Sequence, residues 1–136
     1  MPPASSYILC VDDDADDLLF ITSALQQANA ALRTAVAYNG VEALAFLEEV
    51  HRAHQLPSLV ILDINMPRMD GKELLTALKK DARFASLPVV VYSTSGAGVD
   101  RLFCAHYGVE LVTKPNTYDE VVSVMQYLYS TLNSPH

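Results

Sequence analysis

A chain of 136 residues that is 51% apolar and 18% charged is composed as one globular domain, not as a disordered segment. Its net charge of -7, with nine Lys and Arg that mostly sit singly, argues against a partner held mainly through nucleic-acid or membrane phosphates. No apolar run approaches the roughly 20 residues of a membrane span, and residues 1–6 lack the basic and apolar regions of a signal peptide.

Taken in chain order, residues 1–6 read as a short loose tail. Tyr7–Val11 is an apolar run that reads as a buried strand, and Asp12, Asp13 and Asp14 follow it at once. Leu18, Ile21, Leu25 and Ala28 recur at helical spacing and predict the first helix. Arg33–Tyr38 reads as a weaker, more polar second strand. Val41, Leu44, Ala45 and Leu47 stripe a second helix. Ser58–Leu62 is a third strand that ends in Asp63. Leu74, Leu75 and Leu78 mark a third helix. Pro88–Tyr92 is a fourth strand and runs into Ser93-Thr94-Ser95. Val99, Leu102, Phe103 and His106 stripe a fourth helix. Val109–Thr113 is a fifth strand that ends in Lys114-Pro115. Val121, Val124, Met125, Leu128 and Leu132 form the clearest stripe, on the last helix. A single domain over 7–132 is expected, with 133–136 a stub and no output domain. Cys10 and Cys104 lie in apolar or helical surroundings away from any paired or metal-ligating pattern. They read as reduced thiols of a cytoplasmic protein.

Strands alternating with helices predict a parallel sheet covered on both faces. In such sheets, ligands bind beyond the carboxyl ends of the strands. That edge gathers Asp12, Asp13, Asp63, Ser93 and Lys114. Each alone has an ordinary explanation: a helix cap for the acids, a polar loop for the serine, plain surface for the lysine. Together they match a specific chemistry. Clustered carboxylates repel unless a cation intervenes, and Mg²⁺ suits oxygen ligands. An aspartate can serve as a covalent nucleophile toward phosphorus, and a lysine with a hydroxyl can steady the transferred group's oxygens. An EF-hand reading of Asp12, Asp14 and Asp16 fails, because Asp17 stands where Gly is needed and Ser23 where Glu is needed.

The segment Leu59-Val-Ile-Leu-Asp63-Ile-Asn-Met-Pro67-Arg-Met-Asp-Gly71, with Val11-Asp12-Asp13 before it and Lys114-Pro115 after it, resembles the receiver domains of two-component response regulators, the single-domain chemotaxis type included. The resemblance runs from about Tyr7 to Leu132. It implies an α/β, flavodoxin-like (βα)5 three-layer sandwich with strand order 2-1-3-4-5. It implies Asp63 as phosphoacceptor, Asp13 as a direct ligand of Mg²⁺ (or Mn²⁺) and Asp12 acting through water, with Asp14 the register alternative. Asn65 stands where the family offers a backbone carbonyl to the metal. Ser93 matches the hydroxyl that meets the phosphoryl group. Lys114 matches the lysine that pairs with it, and Pro115 suggests a cis Lys114–Pro115 bond. Two departures stand out. Leu111 replaces a common Tyr or Phe that turns inward on activation; Tyr92 and Tyr107 are candidate substitutes. Thr94 is bulkier than the usual Ala or Gly and is expected to slow phosphoryl exchange or hydrolysis.

The expected function is a phosphoacceptor switch, not an enzyme beyond its own aspartate. It would be served by a histidine kinase or histidine phosphotransfer protein and read by a downstream protein on the face of the fourth helix, fifth strand and fifth helix. Tyr118, Tyr127 and Tyr129 are expected on or near that face, and no nucleic-acid or membrane partner is expected. A phosphohydrolase would want an acid where Asn65 stands. A phosphorylation-independent docking module is the alternative, and the complete acid, hydroxyl and lysine set argues against it.

Overall fold

The computed structural model describes residues 7–64, 71–94 and 98–132. The chain alternates β1 (Tyr7–Val11), α1 (Ala15–Ala28), β2 (Arg33–Ala37), α2 (Gly40–Arg52), β3 (Leu59–Leu62), α3 (Gly71–Lys80), β4 (Val89–Ser93), α4 (Gly98–His106), β5 (Glu110–Thr113) and α5 (Tyr118–Leu132). The strands form one parallel sheet in the order β2-β1-β3-β4-β5, as the resemblance implies.

The composition of each strand follows from its place. All four residues of β3 and all five of β4 are buried, because helices cover both faces of the sheet centre. At the edges, β2 and β5 alternate or mix exposure, which explains their polar content. The expected strands hold to within one residue at each end.

Two apolar layers flank the sheet. On one face, Ile8 and Cys10 pack with Leu18, Ile21 and Leu25 of α1 and Met125 of α5. On the other, Leu9 and Val60 pack with Leu47 of α2 and Leu74 and Leu78 of α3, and Cys104 of α4 lies in the same layer. Both thiols are buried and free.

Two helical stripes differ from expectation. On α2, Leu44 and Leu47 pack inward as expected, but Val41 is 44% exposed and Ala45 is exposed, and Ala43 is buried in their place. On α4, Val99 and Leu102 are exposed at 68% and 73%, while Cys104 and Asp100 are buried. Both helices are apolar around much of their circumference, so spacing alone does not choose the face. On α4 the buried position belongs to a charge. Asp100 accepts an ion pair from Lys72 of α3 at 2.6 Å, which compensates its burial. No helix among the described residues is long and apolar enough to cross a membrane.

Candidate functional site

The carboxyl ends of β1, β3, β4 and β5 meet at one edge of the sheet, and the chain places an acid or a donor at each. Asp12 follows β1. Its backbone N–H donates to Ala37 O at 3.1 Å, which continues the β1–β2 ladder by one residue. Asp63 follows β3, and its N–H donates to Val11 O at 2.9 Å. Lys114 follows β5, and its N–H donates to Ser93 O at 2.8 Å. The sheet's own hydrogen bonds therefore fix the main chain of all four positions.

Asp12, Asp13 and Asp63 present carboxylate oxygens within 4.8 Å of one another. Asp12 and Asp63 are buried and Asp13 is exposed. Three carboxylates this close suit a hard divalent cation. Both Asp12 oxygens are already engaged, Oδ1 by the Asp14 N–H at 3.0 Å and Oδ2 by Lys114 Nζ at 2.7 Å. Asp13 has no such engagement among the described residues.

Lys114 donates to three acids: Asp12 Oδ2 at 2.7 Å, Asp17 Oδ2 at 2.7 Å and Asp63 Oδ2 at 3.3 Å. Its side chain is 8% exposed. Burial works against its charge, but the hydrogen bonds to Asp12 and Asp17 and the charges of Asp63 and Asp12 outweigh it, so the ammonium is held above its ordinary range. Burial also pushes the Asp12 carboxyl up to about 6, against the pull of the Lys114 and Asp14 hydrogen bonds. At Asp12 and Lys114, burial therefore works against charge and specific partners offset it.

Of the sequence-derived candidates, Asp12, Asp13, Asp63, Ser93 and Lys114 converge at this edge. Ser93 is fully buried, and Thr94 beside it is exposed. Asn65 lies outside the described residues. Asp14 is not part of the acid cluster. Its side chain caps α1, accepting from the N–H groups of Asp16 and Asp17 at 2.9 and 3.3 Å. The expected cis bond is corrected: Lys114–Pro115 is trans, the form an X–Pro bond favours by about 0.5–1 kcal/mol. Leu111 is half-buried against the α2–α3–α4 layer. Neither suggested substitute is free to stand in for an aromatic there. Tyr92 is buried in the opposite, α1–α5 layer. Tyr107 is held edge-on to Phe103 and His106, with its hydroxyl 3.3 Å from Thr76 Oγ1.

Two of the three tyrosines expected near the α4–β5–α5 face turn toward α1 instead. The Tyr118 hydroxyl accepts from Gln27 Nε2 at 2.9 Å, and the Tyr129 hydroxyl accepts from Asn29 Nδ2 at 2.7 Å. Tyr127 alone meets β5, at the Glu110 carboxylate. Asp17 is the site residue that sequence reasoning missed. It lies one turn before the buried Ile21, so an acid at the head of an apolar stripe was the available signal. A cavity of about 330 Å³ opens beside Lys114, lined among others by Asp17, Phe20, Tyr92, Pro115 and Tyr118.

Comparison with known proteins agrees with this geometry. Residues 8–126 match the family described as the response regulator receiver domain. Response regulator Rre1 of Synechocystis sp. is 34% identical over 122 residues, covering 89% of this chain and 50% of that protein. Rcp1 of the same organism is 31% identical over 96 residues, covering 69% and 64%. The chain thus spans about half to two thirds of the length of these relatives. Among solved structures, the phosphorylated cyanobacterial phytochrome response regulator RcpA superposes with a TM-score of 0.86 at 27% identity, covering 95% of this chain and 94% of that one. The Mn²⁺-bound form of Rcp1 superposes with a TM-score of 0.85 at 26% identity, covering 96% and 97%. With the matched profile spanning most of the chain and the acid-and-lysine edge in place, this protein belongs to the response regulator receiver domain family.

Proposed function

We propose that the chain is a phosphoacceptor switch in which Asp63 takes a phosphoryl group from a partner's phosphohistidine. The observation that carries this is the Lys114 ammonium 3.3 Å from Asp63 Oδ2, inside a three-carboxylate cluster at the sheet's carboxyl edge. A carboxylate oxygen of Asp63 attacks phosphorus. The P–N bond breaks, and its electron pair returns to the partner's imidazole nitrogen. Lys114 reaches from Asp63 to the incoming phosphoryl oxygens, where its charge stabilises the transfer. Ser93 supplies a hydroxyl at the neighbouring strand end. Its carbonyl already holds the Lys114 N–H, so a shift of one strand end is felt by the other. Asp13 and Asp63, with Asp12 behind them, are the residues that would hold Mg²⁺ or Mn²⁺. When bound, such an ion neutralises the carboxylates and the phosphoryl oxygens. Support comes from the phosphorylated state of RcpA and the Mn²⁺-bound state of Rcp1, both similar folds.

The phosphodonor is a histidine kinase or histidine phosphotransfer protein. Phe20 of α1, exposed at 46%, lines the cavity beside Lys114 and offers that partner an apolar landing. The downstream protein reads α4, β5 and α5, where Val99, Leu102 and Tyr127 are exposed. Thr94 screens the phosphoryl group from water, and Thr94→Ala is expected to shorten the phosphoryl lifetime, measured by loss of label from the isolated phosphoprotein. Equal lifetimes would remove that role.

The test is incubation with Mg²⁺ and acetyl phosphate, read by intact mass, with Asp63→Asn as control. Modification of wild type alone supports the switch. An unmodified wild type that still binds Mg²⁺ points to docking without phosphorylation.

A further inference from the structure

Asp17 has no place in the chemistry so far, yet it makes one of the two shortest contacts to Lys114. Its carboxylate is 2.7 Å from Nζ, equal to the Asp12 contact and shorter than the 3.3 Å contact to Asp63. An ammonium has three N–H donors. All three are aimed at carboxylates here, and the weakest is aimed at the phosphoacceptor. Asp17 is not one of the three clustered acids. Its position is nevertheless fixed, because its backbone N–H is held by the Asp14 cap in the first turn of α1. A carboxylate in that turn is also favoured by the helix dipole.

We propose that Asp17 is a positioning residue, a resting anchor that holds Lys114 partly away from Asp63 until a phosphoryl group outcompetes it. This deepens the phosphoacceptor reading and rests on it. Two consequences follow, of opposite sign. A divalent cation entering among Asp12, Asp13 and Asp63 must share Asp12 and Asp63 with the ammonium. Asp17 leaves the ammonium a partner that the cation does not claim, so it eases cation entry. A phosphoryl group on Asp63 must draw the ammonium off Asp17, so there the anchor opposes binding. Asp17 is one-third exposed, which limits the effect to that of a partly screened pair.

The experiment uses the full chain and two titrations followed by amide NMR shifts: Mg²⁺ alone, and beryllofluoride at saturating Mg²⁺. Asp17→Asn is expected to weaken Mg²⁺ binding about two- to fivefold and to tighten beryllofluoride binding by a similar factor. Asp16→Asn removes the same charge one residue away, where it does not touch Lys114, and is expected to move both constants far less. In a Lys114→Met background, Asp17→Asn should change Mg²⁺ affinity no more than Asp16→Asn does. The anchor role is overturned if both constants weaken together, if Asp16→Asn matches Asp17→Asn, or if the Mg²⁺ effect survives without Lys114. A normal beryllofluoride response in wild type, with Asp17→Asn indistinguishable from it, overturns the anchor role alone. No beryllofluoride response in wild type or any variant overturns the phosphoacceptor reading, and the anchor role falls with it.

Discussion

Gly71 opens α3 with its Cα turned directly against the main chain that follows β3. A Cβ placed there would collide with the Asp63 carbonyl oxygen and the Ile64 Cα, and would lie 2.8 Å from the Asp63 carbonyl carbon. These are backbone atoms of Asp63 and Ile64, so no side chain can swing aside to relieve the contact. Gly71→Ala is therefore expected to cost about 3 kcal/mol in urea denaturation, at the upper end for overpacking, and to reduce acetyl phosphate modification of the folded fraction. The residue-level site was legible where chemistry sits at a strand end. Asp12, Asp13, Asp63, Ser93 and Lys114 could be assembled because a parallel sheet brings its carboxyl ends together. Asp17 escaped because it belongs to a helix. Its link to Lys114 spans most of the sequence and depends on how α1 is seated on the sheet.

At the scale of elements, α1 shows how a local signal serves a distant one. Asp14 caps the helix, and the same turn carries Asp17 to Lys114. Asp14→Ala is expected to lower stability by about 1 kcal/mol, seen as a lower urea midpoint with an unchanged slope. α5 contributes the apolar counterpart. Met125 is fully buried between the sheet and α1, and Met125→Ala is expected to cost about 2–5 kcal/mol in the same assay. The stripes of α1, α3 and α5 were readable because each pairs one apolar face with a more polar one. The stripes of α2 and α4 were readable only in part: Leu44, Leu47 and Phe103 pack on the core, but Val41, Val99 and Leu102 do not. On α2 the buried positions include the small Ala43, and on α4 they include a charged Asp100, neither of which a search for large apolar residues selects. The Lys72–Asp100 pair that permits the latter is a tertiary contact between two helices, invisible to periodicity.

For the molecule as a whole, the acid edge couples ligand to stability. The carboxylates of the site meet only in the folded chain, so a divalent ion that binds them binds the native state alone. Mg²⁺ at a hundredfold its dissociation constant is expected to add about 2.7 kcal/mol. For a domain of this size that raises Tm by on the order of 10 °C, reversed by a chelator. Asp13→Asn is expected to lose most of this shift while leaving the metal-free Tm near that of wild type, because Asp13 is exposed and bears no packing.

The two faces of the sheet also differ in when they can be completed. The α2–α3–α4 layer is built from residues up to about 111. The other layer has α1 at its beginning and α5 at its end, and Ile21 and Leu25 meet Met125 and Leu128 only after nearly the whole domain has been synthesised. At about 5–20 residues per second, α1 leaves the ribosome several seconds before its covering helix exists. During that interval its apolar stripe can pack only on the sheet and lacks the α5 side of its cover, and Lys114 has not yet emerged to neutralise the acids at its foot. Adding α5 therefore completes this layer of the domain. A chain lacking α5 would present a sheet covered by α2, α3 and α4 on one side and by α1 alone on the other.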